Sequence, residues 1–420
     1  MKFLLIPGNN SLSHVAKSLA LEAELSGRGH QVLVAVSKKH SSFLDRLHIV
    51  HAVLPDIQEA DDGPVPSWEW FRSVDRIQAC IQAEFNLMTR YRPDRVLGIF
   101  RFTAKVSAAA AGVDYDALVC GCMLRDHNEV LGFAPGDSGA GCQAEYLKNF
   151  FSYAGRKVSR AADRFGVAVE SDARTMFEGR HTFLWDFPEF MPLPQRPGRV
   201  HVGPLQWLHW SDAGRPLRLP TEVGRPLALI SFGTCCASHP AAQKLVDCLL
   251  DQGYHVTVAA GGQPDLMKLR SDSGHMTLCS FAPLKPLIGR ADLVISHGGQ
   301  MTLFESMAQG VPVLVMPFQP EQAHNGVCLE RLGCGRRLIP AVAYKGNSAA
   351  YLAALAARTR PQIEAAIQSV TLNPETPIRL AKYKALIGAY RGAERIADIM
   401  EHDLKPSGFC NIGVAEDKYS

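Results

Sequence analysis

Twice along the chain a short apolar run breaks at a loop signal, passes into a segment of helical period and returns to a β-branched run. This alternation restricts the fold more than any other feature. Phe3–Ile6 is apolar and stops at Pro7-Gly8-Asn9-Asn10, a cluster of turn residues. His14–Ser26 then carries Val15, Leu19 and Ala23 on one helical face, Gly27 and Gly29 close it, and Gln31–Val36 is apolar again. The same order returns at Arg95–Ile99, Thr103–Ala111 and Ala117–Cys122. A second series opens after Pro226, with strands expected at Leu227–Phe232, His255–Ala259, Leu293–Ser296 and Val311–Met316, and helices at Pro240–Asp251 and Met301–Gln309. Strands joined through helices form parallel sheets covered on both faces. The expectation is an α/β protein of two doubly wound, Rossmann-like domains that share one cleft beyond the carboxyl ends of their strands.

The 420 residues suffice for two separate cores. The stretch from Phe187 to Val223 is rich in Pro, Gly and Trp and lacks a period, which suits a boundary. The predicted division is a first domain over 1–200, a linker over 201–225 and a second domain over 226–380. A helix over 381–403 is expected to cross back to the first domain, leaving a tail at 404–420.

Composition matters mainly for what it excludes. A net charge of +3 without a basic run gives no footprint for a phosphate backbone, so no nucleic-acid partner is expected. Eleven cysteines, an odd number without a CxxC pair, read as reduced thiols of the cytosol. Cys235-Cys236 reads as packing or loop. The opening MKFLLI is too short for a signal-peptide core, and no run approaches the roughly 20 apolar residues of a membrane span. A cytoplasmic protein without a transmembrane segment is the expectation.

The most informative stretch runs from His297 through Gly298, Gly299, Gln300, Met301, Thr302 and Glu305 to Glu321, Gln322 and Asn325. A strand ends at Ser296, two glycines permit close backbone approach, and a helix begins whose first N–H groups lack internal partners. Such a helix end suits a pyrophosphate. Thr302 adds a hydroxyl, and Glu305, one turn on, can accept from ribose hydroxyls.

This block resembles the donor signature of the family 1 UDP-glycosyltransferase superfamily, which includes macrolide and plant natural-product glycosyltransferases. The resemblance implies the GT-B fold. It assigns phosphate contacts to His297, Gly298, Gly299 and Thr302, ribose to Glu305, and sugar hydroxyls to Glu321 and Gln322. Met301 departs from the Gly or Asn usual there, but a backbone N–H survives the change. Ser231-Phe232-Gly233-Thr234 is similar to the family's second phosphate loop, placing Gly233 and Thr234 at the donor. Phe281-Ala282-Pro283 resembles the base-binding segment; stacking on the base and core packing both fit Phe281.

In the first domain Gly27-Arg28-Gly29-His30 resembles the family's opening helix end, and counting back 16 residues puts His14 on the catalytic base. Histidine suits proton abstraction near neutral pH; a capping or packing residue is the other reading. The family's partner Asp is replaced by Ile99, and an aliphatic side chain cannot orient an imidazole. Three explanations stand: Asp126 substitutes, His14 acts alone on an acidic acceptor, or ordinary transfer is lost. The second is preferred, with Arg101 attracting an anionic acceptor or lying solvated at the surface. Asp114-Tyr115-Asp116 matches the Asp-x-Asp of metal-dependent glycosyltransferases but sits at the wrong strand end, so no metal and no cofactor are expected.

The resemblance thus implies an inverting transfer from a UDP-sugar, or a dTDP-sugar next, to a small-molecule acceptor. The rivals are a nucleotide-sugar hydrolase or epimerase and a non-catalytic nucleotide-binding homologue. Trp68, Trp70 and Phe71 hint at an aromatic or apolar acceptor or at a packed loop.

Overall fold

A computed structural model describes residues 1–58, 67–206, 224–234 and 238–402. Most of the expected linker, the expected tail and the pair Cys235-Cys236 lie outside these residues.

Both sheets are entirely parallel. The first has seven strands, β1 (Lys2–Pro7), β2 (Gln31–Val36), β3 (His51–Val53), β4 (Arg95–Ile99), β5 (Asp114–Val119), β6 (Thr182–Leu184) and β7 (Arg199–His201), in the order β3-β2-β1-β4-β5-β6-β7. The second has six, β8 (Leu227–Ser231), β9 (His255–Ala259), β10 (Met276–Cys279), β11 (Leu293–Ser296), β12 (Val313–Val315) and β13 (Gly335–Arg337), in the order β10-β9-β8-β11-β12-β13. Strand order reverses between β1 and β4 in one sheet and between β8 and β11 in the other. Crevices that hold ligands open at such switch points. The uninterrupted apolar runs follow from burial on both faces: Phe3, Leu4, Leu5 and Ile6 are all fully buried.

Local signals place the helices that meet the crevices. Ser11 caps the helix Leu12–Gly27, its hydroxyl accepting from the Ser13 N–H at 3.2 Å. Gly299 precedes the helix Gln300–Gln309, and Gly310 ends it in the left-handed conformation at φ 82°.

The two domains are joined by packing. Phe304 of the second domain meets Phe187 and Phe190 at ring distances of 5.4 and 4.9 Å. The helix Gly392–His402 returns to the first domain and lies against Leu12–Gly27. Arg28 pairs with Asp398 at 2.6 Å, His30 with Glu401 at 2.6 Å, and the Arg95 guanidinium donates to the Met400 carbonyl at 3.1 Å. Among the described residues no helix is long and apolar enough to cross a membrane.

Candidate functional site

Loops from both switch points line one cleft of about 950 Å³, at the upper end of the range for ligand pockets. The first domain contributes Asn9 to Ser13 after β1, and the second contributes Gly233 and Thr234 after β8 and His297 and Gly299 after β11.

The second-domain side of the cleft is assembled around His297. Its ring sits where side chains of neighbouring residues would otherwise stand. A Cβ on Gly299 would lie 2.5 Å from its Nε2, and one on Gly233, itself at φ 68°, would lie 2.9 Å from its Cε1. Gly298 has φ 92°, and a Cβ there would meet the Gln322 carbonyl at 2.7 Å. Burial lowers the His297 pKa to about 4 against a backbone hydrogen bond at Ser231, so the ring is neutral at physiological pH. Its Nδ1 is buried without a hydrogen-bond partner. Thr302, Glu305 and the half-exposed Phe281 also line the cleft. The N-terminus of Gln300–Gln309 presents its free N–H groups here, and the helix dipole favours an anion at this end.

Gln322 lines the cleft and accepts from the Phe318 N–H at 2.9 Å. Glu321 does not line it; its carboxylate accepts from Asn325 Nδ2 at 2.6 Å. Burial raises the Glu321 pKa, with Asn325 and then the Lys17 charge opposing.

On the other side the structure separates the sequence-predicted residues. His14 is 7% exposed, lies between Phe100 and Trp185 at ring distances of 5.1 and 5.7 Å, and is not among the side chains lining the cleft. Burial first, and then the neighbouring Lys17, lower its pKa to about 3. The residue after β4 that meets His14 is Phe100, held at φ 50°, while Ile99 points into the core. Asp126 gives this imidazole no support. It is outside the cleft lining, and its carboxylate is taken by Arg199, at 2.7 and 3.0 Å, and by Arg196 at 2.8 Å.

Arg101 is neither solvated nor open to an acceptor. It is 2% exposed, pairs with Asp56 at 2.5 Å and Glu84 at 2.7 Å, and donates to the Pro55 carbonyl at 2.6 Å. Asp56 in turn accepts from the Asn9 N–H at 2.8 Å, so this ion cluster anchors the cleft loop after β1. The Asp-x-Asp decoy is structural too: Asp116 pairs with buried Arg95 at 2.7 Å and Asp114 with Arg180 at 2.7 Å. Of the three aromatics, Trp70 lines the cleft, Phe71 is buried, and Trp68 donates to the Tyr146 hydroxyl at 2.6 Å.

Two residues emerge that the sequence reading did not single out, Lys17 and Trp185. Lys17 lines the cleft one turn beyond His14, is 3% exposed, and holds its ammonium 4.4 Å over the Trp185 ring. Burial lowers its pKa to about 8, with Cys120 and Glu321 opposing. Trp185 lines the cleft and donates to Gln300, whose amide donates to Asn325 at 3.1 Å. Asn325 then reaches the Gly298 carbonyl at 2.9 Å. A lysine on an amphipathic helix normally reads as a solvated surface charge, and the period offers no sign that this one faces a second domain. Among the described residues, the side chains grouped with metal-ligand spacing are His127, Glu129 and His324, and none lines the cleft.

Comparison with known proteins agrees with this geometry. Residues 236–396 match the model of the glycosyltransferase family 28 C-terminal domain. A PGL/p-HBAD biosynthesis rhamnosyltransferase of Mycobacterium bovis is 23% identical over 342 residues, covering 77% of this chain and 74% of the relative. The glycotransferase of kitacinnamycin superposes with a TM-score of 0.71 at 19% identity, covering 96% of this chain and 98% of its own. SsfS6, a Streptomyces sp. SF2575 glycosyltransferase complexed with thymidine diphosphate, superposes with a TM-score of 0.64 at 18% identity, covering 96% of this chain and 99% of its own. The paired sheets and these similarities together give the chain the GT-B fold and make it a glycosyltransferase similar to the natural-product glycosyltransferases.

Proposed function

We propose that the chain transfers a hexose, with inversion, from a dTDP- or UDP-sugar to a small acceptor bearing an acidic hydroxyl, with no metal in the cleft. The observation that carries this reading is the pairing of two features in one cleft. One is a helix N-terminus suited to a diphosphate, beside the buried, neutral His297 ring that lines the same cleft. The other is the buried Lys17 ammonium, which forms no carboxylate ion pair among the described residues and can receive an anion.

The donor diphosphate takes its hydrogen bonds from the first N–H groups of Gln300–Gln309 and from the Thr302 hydroxyl, with His297 adding an imidazole contact. Glu305 accepts from the ribose, and Gln322 turns toward the sugar. The acceptor oxygen attacks the anomeric carbon opposite the diphosphate. A carbon–oxygen bond forms as the bond to phosphate breaks, and the departing diphosphate keeps the electron pair. An ordinary alcohol needs a base to remove its proton, worth roughly 10² to 10⁴ in rate. Burial, Lys17 and His40 disfavour the His14 imidazolium, and the group that favours it is the Gly8 backbone rather than a carboxylate. An acidic hydroxyl enters already ionised or nearly so, and Lys17 holds the resulting anion. The relative named a rhamnosyltransferase and the neighbour complexed with thymidine diphosphate support a deoxyhexose donor and a dTDP carrier alongside a UDP one.

The test is calorimetric titration of UDP, dTDP and GDP, followed by product analysis with the sugar series that binds. Binding of UDP or dTDP and an inverted anomeric centre on a phenolic acceptor are expected. Binding of neither diphosphate, or retention of configuration, overturns the reading.

A further inference from the structure

Across the domain boundary, away from the cleft, three side chains converge without satisfying one another. His127 and Glu129 stand in the loop that follows β5 of the first domain. His324 stands on the helix Pro320–Leu332 of the second. The two imidazoles meet edge to face with centroids 4.7 Å apart. One ligand atom from each of the three residues lies within 4.8 Å of the others. His324 is fully buried, yet neither of its ring nitrogens has a hydrogen-bond partner, and His127 Nε2 is also orphaned. More than nine in ten buried polar groups are normally paired, so three orphaned ring nitrogens in one place are unusual. The carboxylate is held in place from its far side: Arg331 takes Glu129 Oε1 at 2.6 Å, leaving Oε2 at 3.5 Å from His324 Nε2.

We propose that His127, Glu129 and His324 bind one divalent transition ion of the zinc class, and that this ion clamps the first domain to the second. Two imidazoles and a carboxylate form a ligand set this ion accepts, with a fourth position left for water. Metal–nitrogen bonds of about 2.0–2.1 Å draw the three ligands inward by about an ångström. An ion there would give a partner to two of the three orphaned nitrogens. Arg337 pairs with Asp137 at 3.0 Å on the same interdomain seam, so the loop is already seated against the second domain. The three residues are far apart in sequence and show no ligand spacing; only the fold assembles them. Such an ion would depart from the expectation of no metal drawn from the sequence. The helix that carries His324 also carries Gln322 into the cleft, so the ion would fix the closed position of a donor-side element without entering the reaction.

The experiment uses the full chain, stripped with chelator and dialysed, titrated with zinc chloride by calorimetry and with cobalt(II) by visible absorption. One equivalent of zinc bound in the micromolar range or tighter is expected, with a ligand-field spectrum for cobalt and a melting temperature raised by zinc. His127→Ala and Glu129→Gln change side chains on a loop and spare the buried His324. Each is expected to weaken zinc binding at least about tenfold and to abolish the cobalt spectrum, while the metal-free melting temperature stays at the wild-type value. The proposal is overturned if the wild-type chain binds no stoichiometric ion, or if His127→Ala binds zinc as tightly as wild type.

Discussion

Trp185 donates its indole N–H to the amide oxygen of Gln300 at 2.5 Å, joining the end of β6 in the first domain to the first residue of the donor helix in the second. The ring of the same tryptophan carries the Lys17 ammonium and lies against His14. One side chain therefore sets the spacing between Lys17 and the start of the helix Gln300–Gln309, the proposed acceptor and diphosphate sites. Trp185→Phe keeps the ring face and removes the N–H. The expected result is a fall in kcat of about tenfold with a smaller change in KM, since a lost hydrogen bond of about 1 kcal/mol acts on alignment rather than on substrate affinity. Steady-state kinetics with the melting temperature as a control checks this.

The donor loop has no room for added atoms. Gly299→Ala would place its methyl 2.5 Å from His297 Nε2, and Gly298→Ala would add both a clash with the Gln322 carbonyl and a strained φ. Each variant is expected to weaken nucleoside diphosphate binding by tenfold or more, about 1.4 kcal/mol. His297→Ala is expected to do the same. Calorimetric titration reads all three.

Lys17 makes a pH prediction with a definite sign. Its pKa is lowered to about 8, so the amine is charged below that pH and neutral above it. For an acceptor whose anionic group stays ionised throughout, kcat/KM should be level below pH 8 and fall as pH rises through it. Lys17→Met should lower kcat/KM by about 10²-fold and remove the falling limb. Lys17→Arg, charged at every accessible pH, should also lack the limb. A limb that persists in both variants would remove Lys17 from the acceptor site.

His14 has a folded pKa of about 3 against the ordinary 6.5. Below pH 6.5 the unfolded chain takes up a proton that the folded chain refuses. The stability from keeping this ring neutral is therefore present above 6.5 and is lost progressively as pH falls toward the folded value. The slope for this group is about 1.4 kcal/mol per pH unit. Urea unfolding of wild type and His14→Asn between pH 7 and 5 should show a shallower acid loss in the variant.

Arg101 and Asp126 separate structure from chemistry. Arg101→Met leaves Asp56 and Glu84 buried without their cation, a loss of about 3–5 kcal/mol of stability. Asp126→Asn, at a partly exposed ion pair outside the cleft, should leave kcat within about threefold of wild type. Thermal melts and kinetics distinguish the two.

What could be read from the sequence follows from range. His297, Gly298, Gly299, Thr302 and Glu305 sit on one strand–loop–helix turn, where local spacing fixes their geometry. The double alternation likewise fixed two parallel sheets. Arg101 was misplaced because its partners, Asp56 and Glu84, lie 45 and 17 residues away and only the fold shows that they meet. Asp126 followed a strand on the expected side, yet Arg199, 73 residues on, captures it. Lys17 and Trp185 escaped notice because neither carries a motif. Their roles arise from a contact between two domains, which no window along one helix can contain.

The return of Gly392–His402 to the first domain also imposes an order in time. Arg95 and Arg28 find partners at Met400 and Asp398, which the ribosome makes only after the whole second sheet. During synthesis the first sheet would leave the tunnel with this flank bare, and would keep it so while the whole donor half is translated. The first half thus waits for residues made after the second, and a stop codon shortly before Gly392 would damage the domain that was translated first.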